Sequence, residues 1–71
     1  MQLGTKIRYM LNEKNITQES FEQTTGINRT TLMPKAHRKN RWRKTTMYAA
    51  ACFFGISVED LVKGTEMEDQ I

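Results

Sequence analysis

The 71-residue sequence contains a single cysteine, a single proline and a single histidine. One cysteine rules out an internal disulfide framework and suits a reducing compartment. Cys52 and His37 are too few ligands for a structural zinc site, and they lack the third, orienting group that a nucleophile and its base need. A chain this short also buries only a small core, with little room to enclose a substrate. We therefore predict no catalytic residue, no metal and no cofactor.

Long apolar segments are also missing. The longest stretch without a charged residue spans 45–58, which is shorter than the ~20 residues that a membrane-spanning helix requires. The first residues lack the basic and then apolar order of a signal peptide. We expect a cytoplasmic domain without membrane contact, and nothing in the sequence indicates a small-molecule ligand.

Acidic residues are absent from 23–58, although the whole chain has 8 of them against 11 lysines and arginines. The basic residues of this segment are Arg29, Lys35, Arg38, Lys39, Arg41, Arg43 and Lys44. From Glu59 onward the balance reverses, and Lys63 is the only cation. A dense basic block suits a polyanion, because each lysine or arginine can replace a condensed counterion on a phosphate. The alternative is a solvated loop that keeps a small protein soluble.

The apolar residues recur with helical periodicity, and no segment alternates as a half-buried strand does. In the first helix Leu3, Ile7, Met10 and Leu11 share one face, and Asn15 suits a left-handed position after its end. The predicted fold is therefore a compact all-α domain of five short helices over 1–64, followed by a frayed acidic tail over 65–71.

Capping residues mark the other four helices. Thr17 begins the second helix and Gly26 ends it, Asn28 begins the third, and Thr45 or Thr46 begins the fourth. Ser57 begins the fifth helix, which Gly64 ends. The inward residues of the fourth helix are predicted to be Met47, Ala50, Ala51 and Phe54, with Tyr48 and Phe53 also placed in the core.

The segment 17–32 has the layout of a helix-turn-helix, in which two short helices meet at a tight turn and the second is presented to the major groove. Gly26 suits the turn because it takes positive φ without steric cost. Ile27 and Leu32 are apolar, as required if they hold the second helix on the core while its other face stays free. Any helical hairpin needs a turn and an apolar anchor, so this pattern alone is only moderately specific.

Four motifs occur in order along the chain, and the alignment that contains them runs without a gap over about 3–64. They are Ile7-Arg8-Tyr9-Met10-Leu11-Asn12-Glu13-Lys14-Asn15, Ile16-Thr17-Gln18-Glu19, Gly26-Ile27-Asn28-Arg29-Thr30-Thr31-Leu32 and Phe54-Gly55-Ile56-Ser57-Val58-Glu59-Asp60-Leu61. In this order and spacing the sequence resembles the Cro/C1-type (XRE) helix-turn-helix family of bacterial and phage repressors. The resemblance implies a lambda-repressor-like fold and binding to double-stranded DNA.

The resemblance also implies a set of contacts with DNA. The implied base contacts are Asn28, Arg29, Thr30, Met33 and Pro34, at the start of the third helix. The implied phosphate contacts are Gln18, Thr31, Arg38, Lys39, Arg41 and Arg43. Arg29 is the favoured base reader, because a guanidinium can grip O6 and N7 of guanine, although a phosphate contact or a solvated charge is as plausible.

Three residues depart from the family pattern. Glu22 stands where a small alanine is usual, and Lys35 stands where an apolar residue is usually buried. Pro34 falls inside the expected recognition helix, where a proline costs ~3 kcal/mol. A helix that starts late, capped by Thr30 or Thr31, would place Pro34 in its first turn, so the recognition helix is expected to be short, shifted or kinked.

The leading hypothesis is a repressor that binds a two-fold operator as a homodimer, with Leu61, Val62 and Met67 as candidate dimer contacts. The alternative for these residues is the intramolecular core, which is at least as good an interpretation for Leu61. A second hypothesis is a protein-interaction module, antitoxin-like or anti-repressor, with a degenerate helix-turn-helix. A third is single-stranded RNA binding, in which Trp42 between two arginines stacks on a base. The alternative for Trp42 is that it covers one edge of the core.

Overall fold

The structure, a computed structural model, describes residues 1–28, Leu32 and residues 42–68. Within these residues the chain forms four helices and no strand: α1 (Leu3–Glu13), α2 (Gln18–Thr25), α3 (Lys44–Phe54) and α4 (Val58–Val62). The prediction of an all-helical fold holds across this part of the chain. Of the helix predicted between α2 and α3, only Asn28 and Leu32 are described, so the count of five helices stays a prediction.

Both ends of α2 and the start of α4 follow the predicted local signals. The Thr17 hydroxyl accepts the Ser20 N–H at 3.1 Å and caps α2, whose end is marked by Gly26 at φ 76°. Ser57 caps α4 in the same way, and its hydroxyl accepts the Asp60 N–H at 3.1 Å. Such hydroxyl caps satisfy one of the amide groups that the first turn of a helix leaves without a partner.

Two predicted ends are wrong. Helix α3 begins at Lys44 with Arg43 as its extended N-cap, ahead of the predicted caps Thr45 and Thr46. The buried Trp42 side chain lies immediately before this point, so the helix begins directly after the residue that anchors the chain in the core. Helix α4 ends at Val62 rather than at Gly64, which instead takes φ 78° in the turn that follows.

The core combines one face of each helix around Phe21. Its ring packs edge-on against Phe53, with centroids 4.9 Å apart, and stacks on Phe54 at 5.9 Å. The predicted apolar faces of α1 and α3 are confirmed, with Met10 and Phe54 only half-buried at their margins; the buried members are Leu3, Ile7, Leu11, Met47, Ala50 and Ala51. Tyr48, which was predicted to be core, is 62% exposed because it follows Met47 and points about 100° away from that inward face.

The end of the chain packs against its beginning. The Glu66 carboxylate accepts the Leu3 N–H at 2.8 Å, and so caps α1, whose own N-cap residue makes no side-chain hydrogen bond. The Lys6 ammonium donates to the Asp60 carbonyl at 2.7 Å and to the Lys63 carbonyl at 3.0 Å. The terminus from Thr65 to Glu68 is therefore held in place, and the expectation of a frayed tail is wrong for these residues.

The candidate dimer contacts are buried in the region where the end of the chain packs against its beginning. Leu61 and Val62 have no exposed surface and Met67 is 7% exposed, so all three belong to the core of a single chain. The intramolecular alternative for these residues is the correct one. No helix in the described ranges is long and apolar enough to cross a bilayer.

Gly4 fixes the position of Leu32 relative to α1. A Cβ atom at Gly4 would lie against the Leu32 carbonyl oxygen and only 2.8 Å from its carbonyl carbon. Only a residue without a side chain lets the two backbones approach so closely. Leu32 is itself 1% exposed, as expected of an anchor that holds the segment after the turn on the core.

Candidate nucleic-acid interface

The turn after α2 has the geometry that a helix-turn-helix requires. Gly26 takes the left-handed conformation, and its N–H donates to the Glu22 carbonyl at 2.7 Å. Ile27 is 5% exposed, while the next residue, Asn28, has an exposed side chain. The chain therefore turns one apolar residue into the core and presents the following polar residue outward.

Thr25 fixes the turn from within, which the sequence reasoning missed. Its hydroxyl donates to the Phe21 carbonyl at 2.7 Å and accepts the Ile27 N–H at 3.2 Å. One side chain thus ties the last turn of α2 to the buried anchor that follows it. The signal was available, because threonine at a helix end often bonds nearby backbone groups.

Two of the predicted phosphate contacts are described. Gln18 is the first residue of α2, half-buried, directly after the cap Thr17. Arg43 is exposed at the N-cap of α3. Both therefore stand at the N-terminus of a helix, where the peptide dipoles favour an anion.

The remaining predicted contacts lie outside the described residues, apart from Asn28 at the start of the expected recognition helix. They are the base contacts Arg29, Thr30, Met33 and Pro34 and the phosphate contacts Thr31, Arg38, Lys39 and Arg41. Of the residues that depart from the family pattern, Pro34 and Lys35 also lie outside. Glu22 is exposed on α2, so its carboxylate is accommodated in solvent.

The start of α3 and the turn after α2 border an open cavity of about 470 Å³. Residues 25–28 line one side, and Trp42, Arg43, Thr45, Thr46 and Ala49 line the other. Within the described ranges, the cavity thus joins the exposed Asn28 to the cationic start of α3. This surface carries the Arg43 cation and adjoins the turn after α2.

Trp42 is 6% exposed and belongs to the core. Of its two predicted roles, this agrees with the one in which it covers an edge of the core. Stacking on a base of single-stranded RNA would require the ring to leave that core, which argues against the third hypothesis. Cys52 is exposed, and the described residues contain no group of three His, Cys, Asp or Glu side chains placed to hold a metal ion.

A family model for the Cro/C1-type helix-turn-helix DNA-binding domain matches residues 6–66. The match begins within α1 and extends beyond α4, so it includes the turn after α2 and the cavity beside it. No curated protein and no solved structure matches the chain.

Proposed function

We propose, from the premise that the chain belongs to the Cro/C1-type helix-turn-helix DNA-binding family, that it represses transcription by binding a two-fold operator. The chain is a DNA-binding regulator by virtue of that family. The observation that carries the finer proposal is the turn itself, where Ile27 is buried and Asn28 is exposed. In this arrangement the helix expected to begin at Asn28 enters the major groove and reads base edges.

Binding to the phosphate backbone is assigned to the helix starts and the basic segment. Gln18 at the start of α2 and Arg43 at the start of α3 flank the expected recognition helix in the sequence, and both occupy positions where helix dipoles favour phosphate. Thr31, Arg38, Lys39 and Arg41 are proposed to supply the remaining contacts. These contacts set the register of the protein on the duplex and make its affinity depend on salt.

The homodimer is proposed on grounds of affinity. A single module of this size buries too little surface on DNA for tight specific binding, and two linked modules raise the effective concentration of the second. Two copies would then place a recognition helix in each of two major grooves, with half-sites about 10 base pairs apart. The contacts between the copies must involve residues other than Leu61, Val62 and Met67, which the core already uses.

Nuclease footprinting on the DNA that flanks the gene tests the proposal directly. We expect a protected site with two-fold symmetry, bound at least ~10³-fold more tightly than random duplex. With about five phosphate contacts per subunit, the slope of log K against log salt is expected near −4 to −5 per subunit. Weak binding without preference, or affinity insensitive to salt, would instead favour the protein-interaction module.

Two substitutions separate base reading from phosphate binding. Asn28→Ala is expected to lower affinity for the operator about tenfold or more and to leave affinity for random duplex nearly unchanged. Arg43→Gln is expected to weaken binding to both and to reduce the magnitude of the salt slope by about one per subunit. Lys63→Gln removes the same charge from an exposed site after α4 and serves as the control. An equal effect at Lys63 would remove the case for a phosphate contact at Arg43.

A further inference from the structure

The first turn of α1 lies between the end of the chain and Leu32. Gly4 faces Leu32, since a Cβ atom there would lie 2.8 Å from the Leu32 carbonyl carbon. Lys6 comes two residues later and is turned by about 200° around the helix axis. Its ammonium donates to the carbonyls of Asp60 and Lys63 on the other side. A displacement of this turn therefore moves the surface against which the Leu32 backbone rests.

The cap of this turn comes from the end of the chain rather than from the residue before the helix. Gln2, at the N-cap position, makes no side-chain hydrogen bond there. The Leu3 N–H donates instead to a Glu66 carboxylate oxygen at 2.8 Å. Leu3 has no exposed surface, so without Glu66 its amide would have no direct access to water in the folded chain. Loss of the acceptor is therefore expected to destabilise the turn.

The residues on either side of Glu66 hold it in the position from which it reaches Leu3. Thr65 is 8% exposed, and its hydroxyl donates to the Val62 carbonyl at 2.6 Å and accepts the Met67 N–H at 3.2 Å. Met67 is 7% exposed and packs in the core. The carboxylate is thus presented to α1 by a backbone that is anchored on both sides.

We propose that Glu66 is a positioning residue for the reading of DNA, which acts through the first turn of α1. Its cap holds that turn in place, and the turn in its place supports Leu32. Leu32 is 1% exposed and anchors the segment expected to form the recognition helix, so a shift of its backbone shifts the residues that read bases. The effect on DNA rests on the proposed function, whereas the contacts from Glu66 to Leu32 do not.

The charge of Glu66 allows a test in which two explanations predict opposite signs. A carboxylate repels the phosphates of DNA, so its removal in Glu66→Ala strengthens binding if charge alone matters. Loss of positioning weakens binding to the operator instead. Glu68→Ala removes the same charge from an exposed side chain two residues later and serves as the matched control.

The first measurement uses the ¹⁵N-labelled protein without DNA. We expect Glu66→Ala to shift the backbone amide signals of Leu3 and Leu32 in ¹H–¹⁵N correlation spectra, and to leave that of Ser20 in α2 nearly unchanged. Glu66→Gln keeps an oxygen that can accept the Leu3 N–H, so both signals should return close to their positions in the parent chain. Glu68→Ala should leave both in place. Movement of the Leu3 signal without that of Leu32 would overturn the inference, because the cap would then act only locally.

The second measurement compares affinity for the duplex that footprinting identifies with affinity for random duplex. We expect Glu66→Ala to weaken binding to the identified site about fivefold, as for the loss of one helix cap. Random duplex should be bound as tightly as by the parent chain, or slightly more tightly. Glu66→Gln should restore affinity for the site. Glu66→Asp keeps the charge on a shorter side chain and should behave as Glu66→Ala, which it replaces if the alanine variant does not fold.

The outcomes separate this inference from the proposed function. If a preferred site is found and Glu66→Ala binds it as tightly as Glu68→Ala does, the inference is overturned and the proposed function stands. An equal loss of affinity for random duplex also overturns the inference, because the effect would then not concern base reading. If footprinting finds no preferred site, the proposed function fails and the inference about DNA fails with it.

Discussion

Gly4→Ala tests the contact that positions the segment after the helix-turn-helix turn. The added methyl would meet backbone atoms of Leu32, which cannot rotate away as a flexible side chain could. Inserting a methyl group into a packed site costs about 1–3 kcal/mol. Alanine has a higher helix propensity than glycine, which stabilises the helix by up to about 1 kcal/mol. The net result is a lower free energy of unfolding, by about 1–2 kcal/mol.

Thermal unfolding followed by circular dichroism at a helical wavelength measures this loss. For a domain of this size each kcal/mol corresponds to about 4–8 °C, so the melting temperature is expected to fall by about 5–15 °C. Asn12→Ala, at an exposed position of α1, gains a smaller helix propensity of up to about 0.7 kcal/mol without the contact, and is expected to raise stability slightly. If Gly4→Ala matched Asn12→Ala, the close approach of α1 to Leu32 would be refuted.

Three further predictions concern local contacts. Thr17→Ala removes the hydroxyl cap of α2 and is expected to lower the free energy of unfolding by about 1 kcal/mol in urea denaturation, whereas Thr17→Ser should retain most of it. Glu66→Ala removes the carboxylate that accepts the Leu3 N–H, so faster hydrogen exchange of that amide is expected, and unchanged exchange would show that the cap is not formed. The hydrogen bond and the charge of Glu13 raise the pKa of Tyr9, so Glu13→Gln should lower the pH at which the Tyr9 ring titrates by NMR. Because that pKa is raised in the folded chain, the associated stabilisation is present below the ordinary tyrosine pKa and is lost as the pH rises through the folded value.

Local signals in the sequence predicted most helix ends. Thr17, Gly26 and Ser57 act within their own turn of helix, so the residues on either side suffice to place them. The same reasoning failed at α3, because Thr45 and Thr46 are good caps by type and the helix begins before them. Trp42 is buried immediately before that boundary, and its burial depends on the packing of the whole core rather than on neighbouring residues.

The candidate site was predictable only in part. Its turn follows from Gly26 and Ile27, and the structure places both as expected. That Trp42 and Arg43 line one cavity with residues 25–28 could not be predicted, because it depends on which groups the fold brings together. The choice among bases by Arg29 and Thr30 stays a prediction from the resemblance.

The sequence by itself determined the helical class, the helix-turn-helix and the family. It could do so because the periodicity of the apolar residues, the capping residues and the glycine of the turn are all patterns over short distances along the chain. Only the tertiary structure decided that Glu66 caps α1 from 63 positions away, and that Met67 lies in the core. It likewise decided that Gly4 must lack a side chain to admit Leu32. These contacts join residues far apart in the chain, so their energies depend on packing geometry that no local pattern records.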